Sequence, residues 1–374
     1  MDKKVIVAGH ICLDITPVFP AGKKKSISEV MMPGKLVQMK AASVSTGGAV
    51  ANTGLAMKIL GANVKLMGKV GTDAFGDMVC SIMDRYDAGE AMIRAEGEAT
   101  SYTVVVAVPG IDRVFLHCPG ANDTFRTSEV DLAELEDTAL FHFGYPPIMA
   151  SMYQNEGEEL LKLMKKAREA GCATSMDLAA VDPDSGAGKV DWKAILTKVI
   201  PYVDFFVPSI EEVCYMLDRE RLESWQERAG GGDITEILDL DKDIRPLADQ
   251  CMELGCKVLL LKCGAPGIYY RTATRDKLES IAPRLGLDAS VWADKEGFEK
   301  SYKPDAVLSG TGAGDTSIAA FLTAMLEGST PEECVQLATA TGACCVAAYD
   351  SLSGLKPLSE LRQRIADGWE KAAR

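Results

Sequence analysis

The 374-residue sequence predicts an α/β fold: a three-layer, open, mostly parallel sheet with helices on both faces, and a small β lid beside it. Three observations predict it. Short β-branched runs alternate with amphipathic helical stretches for most of the length, the pattern of repeated strand–helix–strand units. Those runs are mostly apolar, as strands covered on both faces are. Glycines recur where helices end, at Gly61 and Gly171.

Taken in order, "KVIVAG" (4–9) is the first strand. The apolar start is broken by Asp14 and no small-residue cleavage site follows, so it reads as a strand rather than a signal peptide. Residues 17–44 and 101–118 carry strand-like patterning with turn residues and no helix; the second is a hairpin turning at Pro109–Gly110–Ile111–Asp112. These two segments are assigned to the lid, and 1–16, 45–100 and 119–374 to the nucleotide- and substrate-binding core. "GGAVANTGLAMKILGA" (47–62) is a helix, followed by the strand 63–71. A second helix spans 155–171, and "CATSMD" (172–177), "VDFFVPS" (203–209) and "CKVLLLKCG" (256–264) are further buried strands. Residues 218–247, charged and with three consecutive glycines, and 271–300 read as surface insertions. After Asp315, the apolar residues Ile318, Phe321, Leu322, Met325 and Leu326 mark one helix face, and Gly328 ends it. Thr330, Pro331 and Glu333 then read as N-cap, first helical residue and capping-box partner of another helix.

Composition removes several function classes. No run of about 18 apolar residues occurs, so no membrane span is expected. The formal charge of −14 argues against a nucleic-acid partner, because phosphate backbone demands clustered Lys and Arg. Three histidines, far apart at 10, 117 and 142, give a His-based metal site little support. Eleven scattered cysteines without a CxxC fit the reduced thiols of a cytoplasmic protein.

The chemistry concentrates in "LSGTGAGDTSIAAFL" (308–322). A helix start exposes unpaired N–H groups at the positive end of its dipole. Glycines at 310, 312 and 314 let the chain aim them at one point and leave room for an anion, most naturally a phosphoryl group. A carboxylate repels phosphate, so Asp315 makes sense there as a general base for a hydroxyl that attacks phosphorus. On this stretch alone, an Asp helix cap with turn glycines is an equal alternative. No GxxxxGK[ST] occurs, and no dinucleotide-binding glycine fingerprint follows the first strand. Elsewhere, Asp14, Gly47, Gly48 and Asn52 fall near the carboxyl ends of neighbouring strands, where open α/β sheets bind ligands. A carboxylate, an amide and close-approach backbone suit a polyol.

The pairing of "GGAVANTGLAMKILGANVKLMGKVGTDAFGD" (47–77) with "SGTGAGDTSIAAFL" (309–322) resembles the two signatures of the ribokinase-like (PfkB) carbohydrate kinases, over roughly 5–360. The resemblance implies Asp315 as catalytic base, with the backbone of Gly312, Ala313 and Gly314 as the anion hole. It implies sugar-binding positions at Asp14, Gly47, Gly48 and Asn52, with Asn122 of "PGAN" near the lid. "VPSIEEV" (207–213) is similar to the family's Asn-x-x-Glu motif, with Ser209 in place of Asn and Glu212 organising Mg²⁺ through water. Gly264 and Gly267 of "LKCGAPGIYY" approach ATP, Thr311 falls on the same nucleotide side, and the helix 336–345 walls the adenine.

Departures accompany the likeness. Ser309 and Gly310 replace the usual Asp-Thr, which puts potassium activation in question; Cys12 replaces a common Asn. Residues 175–186 lack an Asp-x-Asn-x-Arg pattern. The resemblance therefore implies an ATP- and Mg²⁺-dependent kinase acting on a hydroxymethyl group of a sugar or sugar acid, with a homodimer through the lid. The rival readings are a nucleoside kinase of the same fold and a sugar- or nucleotide-binding sensor without catalysis.

Overall fold

The computed structural model describes residues 3–20, 27–108 and 114–373. Its strands in chain order are β1 (Lys4–Gly9), β2 (Cys12–Thr16), β3 (Ser43–Gly47), β4 (Asn63–Gly71), β5 (Ile93–Ala95), β6 (Tyr102–Val106), β7 (Val114–Cys118), β8 (Thr138–Gly144), β9 (Ala173–Asp177), β10 (Phe205–Phe206), β11 (Val258–Lys262), β12 (Gly267–Thr272) and β13 (Glu296–Lys300). Among the described residues, nine of them form one sheet in the order β13-β12-β11-β10-β9-β8-β1-β4-β5. Every pairing from β5 to β11 is parallel, and β12 and β13 extend the far side antiparallel.

The apolar runs work as strands covered on both faces. In β1, Val5 and Val7 point into one core layer, with the helices Leu55–Ile59, Ala74–Asp84, Ala313–Glu327 and Pro331–Cys345. Ile6 and Ala8, one residue out of step, point into the other, with the helices Glu158–Glu169, Trp192–Val199, Ile210–Leu217 and Arg245–Glu253. The two-residue period of a strand thus sorts one run into two cores. In "GTDAFG" (71–76), Asp73 caps the helix Ala74–Asp84 by accepting from Gly76 N–H at 2.8 Å, and also takes the N–H and hydroxyl of Thr100. That motif is a local stop-and-start signal.

The smaller sheet runs β3-β2-β6-β7, with β6 and β7 an antiparallel hairpin and β2 parallel to β6. The proposed turn at 109–112 lies outside the described residues. Strand-like patterning in 17–44 yields pairing only at its end: β2 and β3 flank a stretch whose described element is the short helix Ile27–Val30. Pro17, Pro20 and Pro33 lack the N–H that a ladder needs.

Neither expected surface insertion is irregular. Within 218–247, Leu222 and Trp225 give the charged helix Arg219–Ala229 one buried face. The Trp225 indole N–H and the Arg228 guanidinium both donate to the buried Asp243 carboxylate, at 2.9 and 2.7 Å. Within 271–300, β13 completes the sheet and Trp292 wedges edge-on between Phe205 and Phe321. The helix Ala313–Glu327 ends at the left-handed Gly328, as expected. Thr330 caps the next helix through Glu333 N–H at 3.3 Å, but the Glu333 carboxylate is held by Arg362 at 2.6 Å, so no reciprocal capping box forms.

At the edge where the parallel strands begin, Glu134 accepts from Lys4 and Lys65, each at 2.6 Å. These two bonds, Lys4 first, hold its carboxyl at about 2, below the ordinary 4.5. Because the folded value is depressed, the stabilisation is fully present above pH 4.5 and is lost as pH falls toward 2. Urea midpoints recorded across that window should fall less steeply for Glu134→Gln than for the unaltered chain; parallel slopes would deny Glu134 this role.

Candidate active site

The carboxyl ends of the parallel strands deliver one polar residue after another to a common edge. β1 leads into His10, Cys12 and Asp14; β8 into Tyr145; β9 ends on Asp177; β10 leads into Ser209; β11 ends on Lys262. The helix Ala313–Glu327 points its N-terminus at the same edge, with Gly312 as its cap.

Asp315 lies in the first turn of that helix and is 5% exposed. Its carboxylate accepts from Asn52 Nδ2 at 3.1 Å, Thr53 Oγ1 at 3.3 Å and the Tyr145 hydroxyl at 2.7 and 2.9 Å. Burial, then the Asp315 and Asp177 charges, push the Tyr145 phenol well above its ordinary value, so it stays a proton donor. Tyr145 holds φ +69°, a left-handed conformation costly for a bulky side chain. The amide oxygen of Asn52 in turn accepts from Ser351 at 2.9 Å. Gly312 is also left-handed, at φ +75°, and a Cβ there would lie 2.3 Å from Cβ of Ser351. The turn therefore requires glycine on two grounds.

Asp14 stands across from this carboxylate. Burial raises its pKa to about 6, with the Cys12 and Thr103 hydrogen bonds opposing and the Asp315 charge adding. A Cβ on Gly47 would meet the Asp14 carboxylate at 2.2 Å, and one on Gly48 the His10 ring at 2.5 Å. Both glycines thus let the backbone lie against polar side chains. Polar contacts run on from Asp14 to Cys12 Sγ (3.3 Å), Thr103 Oγ1 (3.7 Å) and His117 Nδ1 (3.0 Å). The His117 ring lies 5.1 Å from that of His10. Histidines 107 positions apart in the chain are thus neighbours, although no three metal-ligating side chains cluster among the described residues. Asn122 is committed elsewhere: it is fully buried, accepts from Ile11 N–H (3.1 Å) and donates to the carbonyls of Ile11 (2.9 Å) and Pro119 (3.0 Å). It fixes the chain between β1 and β2.

On the other side of the glycine turn, Lys262 and Asp177 form a buried ion pair at 2.7 Å. Burial acts against the Lys262 charge, but Asp177, Glu212 and Asp315 together hold its pKa up. Burial lifts the Asp177 carboxyl, Lys262 opposes that lift, and Glu212 and Asp315 add to it. Ser209 caps the helix Ile210–Leu217 and donates its N–H to Glu212 Oε2 at 2.9 Å. Ser209 also bridges in register to Lys262, which brings both to the turn. Thr311 N–H donates to Ser309 Oγ at 3.1 Å, and the Thr311 carbonyl accepts from Cys345. Gly264 (φ +61°) packs on Thr235, whereas Gly267 is built into the sheet opposite Lys300, where a Cβ would strike the Glu299 carbonyl.

The sequence matches the description pfkB family carbohydrate kinase over residues 3–356. The chain belongs to that family of carbohydrate kinases. It is similar to an uncharacterised sugar kinase of Archaeoglobus fulgidus, 25% identical over 79% of this chain and 96% of the relative. It is also similar to the 2-dehydro-3-deoxygluconokinase of Bacillus subtilis, 22% identical over 88% of this chain and 89% of the relative. Among solved structures, a candidate ribokinase II from E. coli, in complex with ATP and Mg²⁺, shares the fold with a TM-score of 0.70 at 20% identity, over 98% of this chain and 99% of that one. No helix of the described residues is long and apolar enough to cross a membrane.

In this kinase the structure brings Asp315, Asn52, Gly312, Ala313 and Gly314 together, with Asp14, Gly47 and Gly48 on one side and Ser209 and Glu212 on the other. Sequence reasoning missed Tyr145, Asp177, Lys262 and Ser351. A signal existed for the first three: each sits at or just after the end of a parallel strand. The backbone role of Asn122 is directly testable. Asn122→Ala strips the buried Ile11 N–H and C=O of their partner, and should cost about 2–4 kcal/mol in urea unfolding. A loss under about 1 kcal/mol would show that water satisfies those groups.

Proposed function

We propose that this carbohydrate kinase transfers the terminal phosphoryl group of ATP to a hydroxymethyl group of a sugar or sugar acid, with Asp315 as the general base. The observation that carries the reading is a buried carboxylate in the first turn of a helix that starts from a glycine-rich turn. Asn52, Thr53 and Tyr145 each donate to Asp315, which orients it and leaves it the proton acceptor of the cluster. Asp315 takes the acceptor's hydroxyl proton as that oxygen bonds to phosphorus and the bridging oxygen leaves with ADP.

The residues fit a polyphosphate accompanied by a divalent cation. The N–H groups of Gly312 and Gly314, which take no partner among the described residues, and the buried Lys262 ammonium offer positive potential. Asp177, Glu212 and Asp315 face that one cation, so the pocket carries an excess of negative charge that a metal ion offsets. Glu212 would hold Mg²⁺ through water, while the carboxylate itself stays anchored on Ser209 N–H. Bound Mg²⁺ supplies charge neutralisation at the phosphates. The acceptor is positioned by Asp14, by Asn52 and by backbone at Gly47 and Gly48. The sugar-acid option draws support from the Bacillus subtilis relative, and ATP with Mg²⁺ from the E. coli structure.

ADP release with MgATP, measured against a panel of pentoses, hexoses, sugar acids and nucleosides, tests this reading. Asp315→Ala should lower turnover on the best acceptor by ~10² to 10⁴ while acceptor affinity changes little. Near-normal turnover in that variant would remove Asp315 as the base, and preference for a nucleoside would replace the sugar.

Asp14 adds a pH signature. Its folded pKa is raised from the ordinary 3.8 to about 6, so only above that value is it predominantly a carboxylate able to accept hydroxyls. Acceptor affinity should therefore improve roughly tenfold as pH rises from about 5 to about 7, and Asp14→Asn should flatten that rise. An unchanged slope in the variant would place the titration elsewhere.

A further inference from the structure

Lys262 has more hydrogen-bonding capacity than the fold uses. Its ammonium carries three N–H donors, and among the described residues it makes one hydrogen bond, to Asp177 Oδ1. The side chain runs along the glycine turn: the place a Cβ would take on Gly314 is 3.4 Å from its Cδ, 3.6 Å from its Cε and 3.8 Å from its Nζ. The start of the helix and the end of β11 therefore meet with no side chain between the ammonium and the Gly314 backbone. Burying a lysine–aspartate pair is seldom a gain in stability over apolar packing of the same size. Here the pair sits at the one point where a phosphoryl group is expected. The strand end next to it has no competing cation, since residues 178–186 contain neither Lys nor Arg.

We propose that Lys262 is the phosphate-binding cation of this kinase, its free N–H donors directed at the terminal phosphate from beside Gly314, with Asp177 as the positioning residue that aims it. The inference rests on the kinase reading above and deepens it on the nucleotide side. The ammonium supplies point charge to the side of the phosphoryl group that the helix N–H groups do not cover. Asp177 does not touch the nucleotide. It fixes the long side chain, so that little freedom is lost when phosphate arrives.

The test is titration calorimetry of the full chain with MgATP and with AMP, alongside steady-state kinetics, for Lys262→Met, Lys262→Arg and the double variant Lys262→Met with Asp177→Asn. The double variant removes both charges at similar volume, so it remains informative if Lys262→Met alone fails to fold around an unpaired carboxylate. Loss of a charge-assisted contact should weaken MgATP binding ~10- to 100-fold and leave AMP binding unchanged. Turnover should fall while the acceptor's KM stays near its original value, and Lys262→Arg should recover part of both losses. Equal weakening of MgATP and AMP, or no weakening of either, would overturn the assignment and leave Lys262 a structural residue. If the unaltered chain binds neither nucleotide, the kinase reading itself falls, and this inference with it.

Discussion

The hydrogen bonds converging on the Asp315 carboxylate join distant parts of the chain at one point. Asn52 and Thr53 come from the first crossover after β1, Tyr145 from the end of β8, and Asp315 from the start of a helix more than 260 positions after Asn52. That helix packs against the stretch Val50–Ile59 in the same apolar layer. Docking the helix therefore sets the carboxylate, and the carboxylate, once buried, has to be satisfied by donors from the first half of the chain. The relation is mutual. Without Asn52 and Tyr145 the burial of Asp315 would be an uncompensated charge, and without Asp315 the left-handed Tyr145 would be strain with no purpose.

The same constraint orders the charges on either side. The Asp315 charge resists ionisation of Asp14, and the Glu212 charge does the same to Asp177 across the glycine turn. Four carboxylates gathered at one sheet edge, with Lys262 as the buried cation among them, make an electrostatically unfinished site. Such a cluster is tolerable because each member is tied to donors: Asp14 to Cys12 and Thr103, Glu212 to Ser209 N–H, Asp177 to Lys262. In the proposed mechanism the balance is restored by the nucleotide and its metal ion. Preorganised charge of this kind costs stability in the empty protein and lowers the cost of the reacting state.

Much of this was legible in the sequence, and the illegible part has physical reasons. Parallel strands announce themselves because apolar runs have no other use at that length, and β1, β4, β9 and β11 fall within the runs that predicted them. GAGD is legible because a left-handed glycine and an acid at a helix start are both written into residue type. For Tyr145, Lys262 and Asp177 the sequence offered only a place at a strand end, because an isolated tyrosine or lysine takes its meaning from its neighbours in space. The parallel register alone makes neighbours of Asp177, Ser209 and Lys262. The helix Arg219–Ala229 misled in the opposite direction: its six charged residues obscured two apolar residues at helical spacing, which were enough to anchor it. Asn122 matched a sugar-binding position by motif, yet its amide is spent on the backbone of β1's exit. Residue type was read correctly there, but orientation is not encoded in type.

Closed polar pairing and the candidate site are segregated to opposite edges of the large sheet. Where the parallel strands begin, polar groups are closed off in pairs. Glu134 takes Lys4 and Lys65, Asp204 takes Lys257, and Arg284 donates to the carbonyls of Leu135, Thr138 and Ala170. Where the strands end, satisfaction is incomplete by comparison. Among the described residues the His10 Nδ1 atom is buried without a hydrogen-bond partner and Lys262 has donors to spare, while Tyr145 is strained. An unsatisfied buried nitrogen is a cost in free energy that the fold carries. A fold that closes the polar groups of one edge this thoroughly tolerates looser pairing at the other, where Lys262 and the glycine turn meet.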